Sequence, residues 1–317
     1  MDQFVNSNRS FNLSTKGFLM KKKHSLLFGA HMSIAGEMHL AIERGKSIGC
    51  TAIQIFTKSN RQWHAKAITD KEADSFKKAW KESSIQSIIA HASYLINIGS
   101  PDSELEKKSV YALELELNRC TMLDIPYLVL HPGSSTKGDE QECLARISQN
   151  IDKLLAKIPH CNILLETMAG QGTSVGYTFE HLAQIIKHSE HKKRLGVCFD
   201  TCHAFAAGYD FSTEKTYNLM WEQFDKIVGI NKIKAFHIND SQKDLGSRVD
   251  RHTDIGKGKM GLKAFKLLFN DPTFFDIPKI LETPKNDLSD DKKNMDTLFS
   301  LLTEKTRTLL HADTINL

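Results

Sequence analysis

Six apolar runs in this chain end on a histidine or a carboxylate. Ile88-Ile-Ala is followed by His91, Leu128-Val-Leu by His131, Ile163-Leu-Leu by Glu166, Val197-Cys-Phe by Asp200, Ala235-Phe by His237 and Ile280-Leu by Glu282. One such residue alone is most often a satisfied polar side chain. Six in succession, brought to one level, would form a cluster of carboxylates and imidazoles that repel and desolvate one another unless a cation sits among them. The chemistry these residues suit is therefore that of bound metal ions. Two short motifs add donors. Asp200-x-x-His203 sets an imidazole one turn beyond a carboxylate, and Asp250-Arg-His252, in extended chain, sends both donors to the same side. The candidate ligands are His91, His131, Glu166, Asp200, His203, His237, Asp250, His252 and Glu282.

Oxygen and nitrogen donors with five imidazoles favour Zn²⁺, with Mn²⁺ or Fe²⁺ as alternatives, and suit Mg²⁺ poorly. A catalytic zinc takes about three protein ligands. Nine donors thus correspond to about three ions, or to two with a generous outer shell. Three dications outweigh Glu166, Asp200, Asp250, Glu282 and one hydroxide by a single positive charge, enough to hold an anionic diester. Competing chemistries are weaker. Cys202 beside His203 would be a nucleophile only if His203 were free to act as its base. The segment Gly256-Lys-Gly-Lys-Met-Gly261 has the spacing of a dinucleotide fingerprint but follows no first strand, and reads better as a flexible lysine-bearing loop able to touch phosphates.

The elements that must position these residues follow from the pattern around them. Short apolar, β-branched runs begin near Leu26, Thr51, Ile88, Tyr127, Asn162, Leu195, Ile233 and Pro278. Amphipathic segments lie between them, over Gly36–Ile48, Asp70–Ser83, Glu104–Leu123, Glu140–Ile158, Phe179–Glu190, Thr213–Val228, Leu262–Phe269 and Lys292–Leu302. Strict alternation of strand and helix predicts an α/β protein with a parallel sheet. Eight units of about 36 residues match a single closed (β/α)₈ TIM barrel, whose typical unit is roughly 31 residues. In such a barrel function sits at the carboxyl ends of the strands, where the six donors fall. No linker-like stretch interrupts the series, which predicts one barrel domain over residues 25–310 and a short tail over 311–317.

The 317 residues carry a net charge of +4, with 40% hydrophobic and 25% charged residues, a composition that excludes whole-chain disorder. The most apolar stretch, Ile88 to Ile98, is too short and too polar to span a membrane. The six cysteines form no CxxC pair and read as free thiols of a reducing, cytoplasmic compartment. Residues 1–24 are Asn/Ser-rich and polar, and are expected to be a disordered extension, with an organellar leader as the alternative.

Several long motifs resemble the endonuclease IV family of zinc-dependent abasic-site DNA repair enzymes. They are Asp200-Thr-Cys-His-Ala-Phe-Ala-Ala-Gly-Tyr-Asp210, His237-Ile-Asn-Asp-Ser241, Gly246-Ser-Arg-Val-Asp-Arg-His252 with Ile255-Gly-Lys-Gly258, and Glu166-Thr-Met-Ala-Gly-Gln-Gly172. His91-Ala-Ser-Tyr-Leu-Ile-Asn97, His131-Pro-Gly-Ser134, Phe56-Thr-Lys58 and Arg61-Gln-Trp63 also match, so the likeness runs from about Phe28 to Glu282. The resemblance implies a TIM barrel holding three zincs. Glu166 would bridge two of them, one also held by His91 and His131, the other by Asp200, His237 and Glu282; His203, Asp250 and His252 would hold the third.

The implied reaction is hydrolysis of the phosphodiester 5′ to an abasic site, leaving a 3′-hydroxyl and a 5′-deoxyribose phosphate, with cleaning of blocked 3′ ends as a related activity. Glu166 is the implied catalytic residue, as the bridging ligand of the zinc-activated hydroxide. The implied partner is double-stranded DNA, met by a monomer. Arg61, Tyr94 and Leu95 occupy positions like those of the family's DNA-penetrating residues, and Gln62, Arg248 and Arg251 are candidate backbone contacts. His31 closes the first run and reads as a supporting residue, not a ligand. Two other classes compete: a metal-dependent sugar isomerase or epimerase on a similar barrel, which needs fewer ions, and a noncatalytic module that binds damaged DNA without cutting it.

Overall fold

The computed structural model of the protein describes residues 26–310. The expected extension over residues 1–24 and the tail over 311–317 lie outside the described residues. Eight parallel strands close into a barrel: β1 (Phe28–Met32), β2 (Ala52–Phe56), β3 (Ser87–His91), β4 (Tyr127–Leu130), β5 (Asn162–Glu166), β6 (Leu195–Asp200), β7 (Ile233–Ile238) and β8 (Lys279–Leu281). Neighbours in sequence are neighbours in the sheet, and β1 pairs with β8 through Phe28–Lys279, Gly29–Ile280 and Ala30–Leu281 to complete the ring. Every strand begins within two residues of the expected position.

Strand pleating decides what each residue faces. Outward positions such as Phe28, Ile53, Ile88, Leu128, Ile163, Phe199 and Phe236 join the apolar layer beneath the helices. Inward positions Ala52, Ile89, Val129, Leu164, Cys198, Ala235 and Ile280 form a separate, dry cluster that fills the barrel, so the centre is packed and not a pore. Two residues further along each strand, the same inward face carries Gln54, His91, His131, Glu166, Asp200, His237 and Glu282, and β1 adds His31. An apolar plug thus supports a polar layer at the carboxyl ends of all eight strands.

Ten helices are described: α1 (Leu40–Ser47), α2 (Asp70–Lys81), α3 (Ser103–Met122), α4 (Glu140–Lys157), α5 (Phe179–His188), α6 (Thr201–Ala207), α7 (Glu214–Ile227), α8 (Leu262–Phe269), α9 (Leu288–Ser300) and α10 (Glu304–Leu310). Most of their starts are set by side-chain caps, those of α1 and α8 being exceptions. Thr69 and Glu72 form a reciprocal capping box at α2, and Asp102, Asp139 and Thr178 cap α3, α4 and α5. The first helix begins four residues later than the expected Gly36, because Gly36 sits at φ +86 and turns the chain out of the helical path. No helix among the described residues is long and apolar enough to cross a membrane.

Candidate metal centre

The six strand-end donors meet in the barrel mouth, and helix α6 after β6 and the loop after β7 bring the other three to them. Glu166 is fully buried at the centre. One of its oxygens, Oε2, lies 3.0 Å from His91 Nε2 and 3.2 Å from His131 Nε2. The other, Oε1, lies 2.9 Å from His237 Nδ1 and 3.2 Å from His203 Nδ1. The carboxylate therefore faces two sets of imidazoles with different oxygens, the geometry of a bridge. His237 Nδ1 is also 3.2 Å from Glu282 Oε2 and 3.8 Å from Asp200 Oδ2. Asp250 reaches back to the cluster with Oδ2 3.2 Å from His203 Nε2 and Oδ1 3.2 Å from His252 Nε2.

The ligand-type atoms fall into compact groups. His91, His131 and Glu166 form one, Glu166, Asp200, His237 and Glu282 a second, and Asp200, His203 and His252 a third, each with atoms within 4.8 Å of one another. Cys202 joins Asp250 and His252 in a further group. Burial pushes the Cys202 thiol up to about 12, so it is a poor nucleophile at neutral pH. The donors fit a cation on the structure's own terms. His203 Nε2 and His252 Nε2 are buried and, despite their closeness to Asp250, make no aligned hydrogen bond. Both residues belong with Asp200 to one compact group of ligand-type atoms.

Charge in the cluster is strongly polarised. Burial alone would raise the Glu166 and Glu282 carboxyls. For Glu166, His237, His131 and His203 win and hold it well below the usual carboxylate range; for Glu282, His237, His31 and His91 do the same. Burial would likewise lower His203 and His237, but the surrounding acids, among them Asp200, Asp250 and Glu166 around His203 and Glu282 and Glu166 around His237, push both well above the ordinary imidazole value. In the absence of a cation His203 and His237 are thus held protonated by the carboxylates, and a metal bound among them would displace those protons.

The rings are oriented from outside. His91 Nδ1 lies 2.7 Å from the Ala92 carbonyl, His203 Nδ1 2.9 Å from the Thr167 carbonyl and His252 Nδ1 3.2 Å from the Glu282 carbonyl. His91 and His252 thereby donate from Nδ1 and turn Nε2 inward, while His203 donates from Nδ1 to Thr167 beside Glu166 Oε1 and turns Nε2 to Asp250. Asp200 accepts from the His203 amide at the start of α6 and from Asn239 Nδ2 at 2.7 Å. Gln171 Oε1 accepts from the Asp250 amide at 3.0 Å.

The loop that carries Asp250 is docked on α6. Gly246 donates its amide to the Phe205 carbonyl, which the Gly208 amide also reaches, and Arg248 donates to the Ala206 carbonyl in the last turn of that helix. Gly208 and Gly246 pack face to face there, a Cβ on either falling 3.9 Å from the other's Cα. Beyond Asp250, residues 240–241 pair antiparallel with 252–253. The buried Asp240 carboxylate accepts from the amides of Ser241, Gly256, Gly258 and Met260. The lysine-bearing segment over 256–261, expected to be flexible, is pinned by this one side chain. A Cβ at Gly258 would lie 2.3 Å from Asp240 Oδ1, which explains the glycine.

The expected DNA-facing residues surround the same mouth. Tyr94 is 54% exposed, and its ring centroid lies 5.3 Å from that of His131 and 5.4 Å from that of His91. Leu95 beside it is half-buried, while Arg61, Gln62, Arg248 and Arg251 are exposed. Arg248 adopts φ +53 and lays its guanidinium 4.9 Å above the Tyr177 ring. Arg251 folds back onto the Asp250 carbonyl at 2.7 Å. A buried ion pair joins the two loops of Arg61 and Tyr94: Lys58 Nζ is 3.2 Å from Glu116 Oε1 and donates to the Gln62 carbonyl at 2.6 Å, while Glu116 accepts from the Ser93 amide. Ser93 Oγ closes the link by donating to the Asn60 carbonyl at 2.7 Å.

Sequence reasoning missed Gln54, Asn239, Asp240, Gln171 and the Lys58–Glu116 pair. Gln54 left one signal, an amide in the middle of the apolar run Ala52–Phe56. His31 is a supporting residue as expected, with Nδ1 3.0 Å from Gln54 Nε2.

A closed parallel barrel with a ring of metal-type donors at its mouth defines the class, and a family model described as xylose isomerase-like TIM barrel matches residues 42–305. A probable endonuclease 4 from Chloroflexus aurantiacus is 50% identical over 278 residues, covering 87% of this chain and 98% of the relative. The crystal structure of endonuclease IV from Thermus thermophilus superposes with a TM-score of 0.77 at 35% identity, covering 86% of this chain and 98% of that one. The chain belongs to the endonuclease IV family. A D-tagatose 3-epimerase-like protein, 20% identical with a TM-score of 0.64 over 90% of this chain and 99% of its own, shares the fold alone.

Proposed function

We propose that the protein is a zinc-dependent DNA repair endonuclease. It hydrolyses the phosphodiester 5′ to an abasic site, leaving a 3′-hydroxyl and a 5′-deoxyribose phosphate, and clears blocked 3′ ends. The observation that carries the reading is the two-sided placement of Glu166, each oxygen facing a different pair of imidazoles within 3.2 Å. His91 and His131 would hold one zinc with Glu166. Asp200, His237 and Glu282 would share the second with it, and His203, Asp250 and His252 would hold a third. When bound, such ions lower the pKa of water to supply a nucleophile at neutral pH and stabilise the charge on the departing oxygen.

The chain's own residues do the rest. Glu166 spaces the two inner sets and stays ionised, because its neighbours keep its carboxyl well below neutrality. Arg61, Gln62, Arg248 and Arg251, at the rim of the mouth, are suited to hold the DNA backbone. Tyr94 and Leu95 act as the wedge that fills the stack when the baseless sugar turns out, an event least costly where the base is already gone. The relatives named endonuclease 4 and endonuclease IV support the nuclease reading over the sugar isomerase or epimerase one.

The test is a duplex carrying one abasic analogue, incubated with the purified protein. Cleavage on the 5′ side is expected, and Glu166→Gln is expected to reduce it on the order of 10³-fold, the scale set by losing a charge-stabilising group. An uncut duplex with fully metal-loaded protein contradicts the reading. Two or fewer ions per chain with turnover of a sugar would favour the isomerase.

A further inference from the structure

We propose that Gln54 is a positioning residue of the metal centre: its amide selects the ring nitrogen that His237 presents and holds Glu282 beside it. The inference rests on the metal-centre reading above and adds a residue that neither the motifs nor the ligand set contain. Gln54 is fully buried in the polar layer of the barrel mouth, between His31 on β1 and the ligands of β7 and β8. Its Nε2 lies 2.6 Å from Glu282 Oε1 and 3.0 Å from His31 Nδ1, and its Oε1 lies 2.8 Å from His237 Nε2.

Hydrogen-bond bookkeeping fixes every role in this group. An ionised carboxylate only accepts, so the amide NH₂ must be the side that faces Glu282. Its second hydrogen then goes to His31 Nδ1, which accepts. The amide oxygen is left for His237, and an amide oxygen cannot donate, so His237 Nε2 carries the proton. Once the ring is neutral, as metal binding requires, its lone pair is therefore on Nδ1, the atom 2.9 Å from Glu166 Oε1 and 3.2 Å from Glu282 Oε2.

His237 is inverted relative to its neighbours. His91, His203 and His252 donate from Nδ1 to main-chain carbonyls and present Nε2. Those outer acceptors belong to the backbone, whatever the side chain at that position. His237 instead depends on a side chain from a strand that supplies no ligand. One amide thus sets a histidine and a carboxylate of the same candidate set, and the rest of the cluster is oriented without it.

Gln54→Met removes the donor and the acceptor at similar volume. Both proteins are stripped of metal, checked for folding by circular dichroism, and titrated with zinc against a chromogenic chelator. The wild type is expected to retain its full complement, and the variant to hold one ion about 10- to 100-fold more weakly with the others unchanged, the usual cost of losing an outer partner. On abasic duplex its kcat is expected to fall while KM stays within about twofold, since DNA contacts are untouched. A folded variant with unaltered zinc affinity overturns the inference while leaving the nuclease reading intact. A wild type that takes up no zinc overturns both.

Should the variant fail to fold, ¹⁵N-histidine spectra of the zinc-loaded wild type decide. A proton on His237 Nε2 with Nδ1 bound to metal is expected, and the reverse arrangement overturns the assignment.

Discussion

Glu166 and Tyr94 stand for the two kinds of work this site divides among its residues. Glu166 is fully buried and surrounded by imidazoles, so its value lies in charge held at a fixed point. Tyr94 is half in solvent, with its ring packed against His91 and His131, a placement that suits the wedge role proposed for it. Tyr94→Ala with Leu95→Ala is expected to reduce discrimination between abasic and intact duplex by about ten- to hundredfold, the worth of a lost stacking contact. Binding to both duplexes, compared by fluorescence anisotropy, checks this; equal discrimination in the variant contradicts the wedge role. At this scale the nine donors were legible in the sequence because each closes an apolar run or sits in a short motif. Gln54, Asn239 and Glu116 were not, because what they do depends on partners more than twenty residues away in the chain.

The elements show why the ligand loops hold their shape. Residues 242–251 have little apolar content, yet their ends are fixed, by α6 through Gly246 and Arg248 and by Asp240 through the 252–253 pairing and the segment after it. Asp240→Ala would strand four amides that now share one carboxylate. Hydrogen bonds to a charged group are worth about 1.5–3 kcal/mol each at most, and water recovers part of the loss, so a destabilisation of about 3 kcal/mol is expected. The shift in urea midpoint measures it, and the ion proposed for Asp250 and His252 is expected to be released first on dialysis. A midpoint unchanged from wild type contradicts the pinning role.

Most strands and helices were legible from periodicity, since barrel strands are buried on both faces and their helices on one. Helix α6 was not. Its seven residues are nearly all buried, so Thr201–Ala207 shows no polar face, and only the cap by Asp200 marks its start. The late start of α1 was hidden in the same way by a turn at Gly36.

At the scale of the whole molecule, the barrel accumulates opposed charges at one end and must tolerate them with or without metal. In the metal-free chain the raised histidines His91, His203 and His237 stabilise the fold fully below their ordinary value of 6.5, and that contribution is lost as pH rises through their folded values. The depressed Glu166 and Glu282 stabilise it above their ordinary 4.5 and lose that contribution only as pH falls through their folded values. His31, lowered by burial, acts in the opposite sense for one proton. The cluster therefore favours the metal-free fold most between about pH 4.5 and 6.5, and Tm of chelator-treated protein is expected to decline as pH rises above about 6.5.

Zinc at the proposed centre would displace the protons of these raised histidines, so the added stability of the loaded protein should grow over the same interval. A metal-free Tm that rises with pH contradicts this charge balance.

The central claim is that nine donors at one end of the barrel hold a polynuclear zinc centre that cuts abasic DNA. Elemental analysis of the purified protein, paired with cleavage of an abasic duplex by the same sample, tests it most directly. About three zincs per chain, with activity lost on chelation and restored by zinc, is the predicted result. A folded, metal-free protein that cuts abasic DNA at full rate would contradict it.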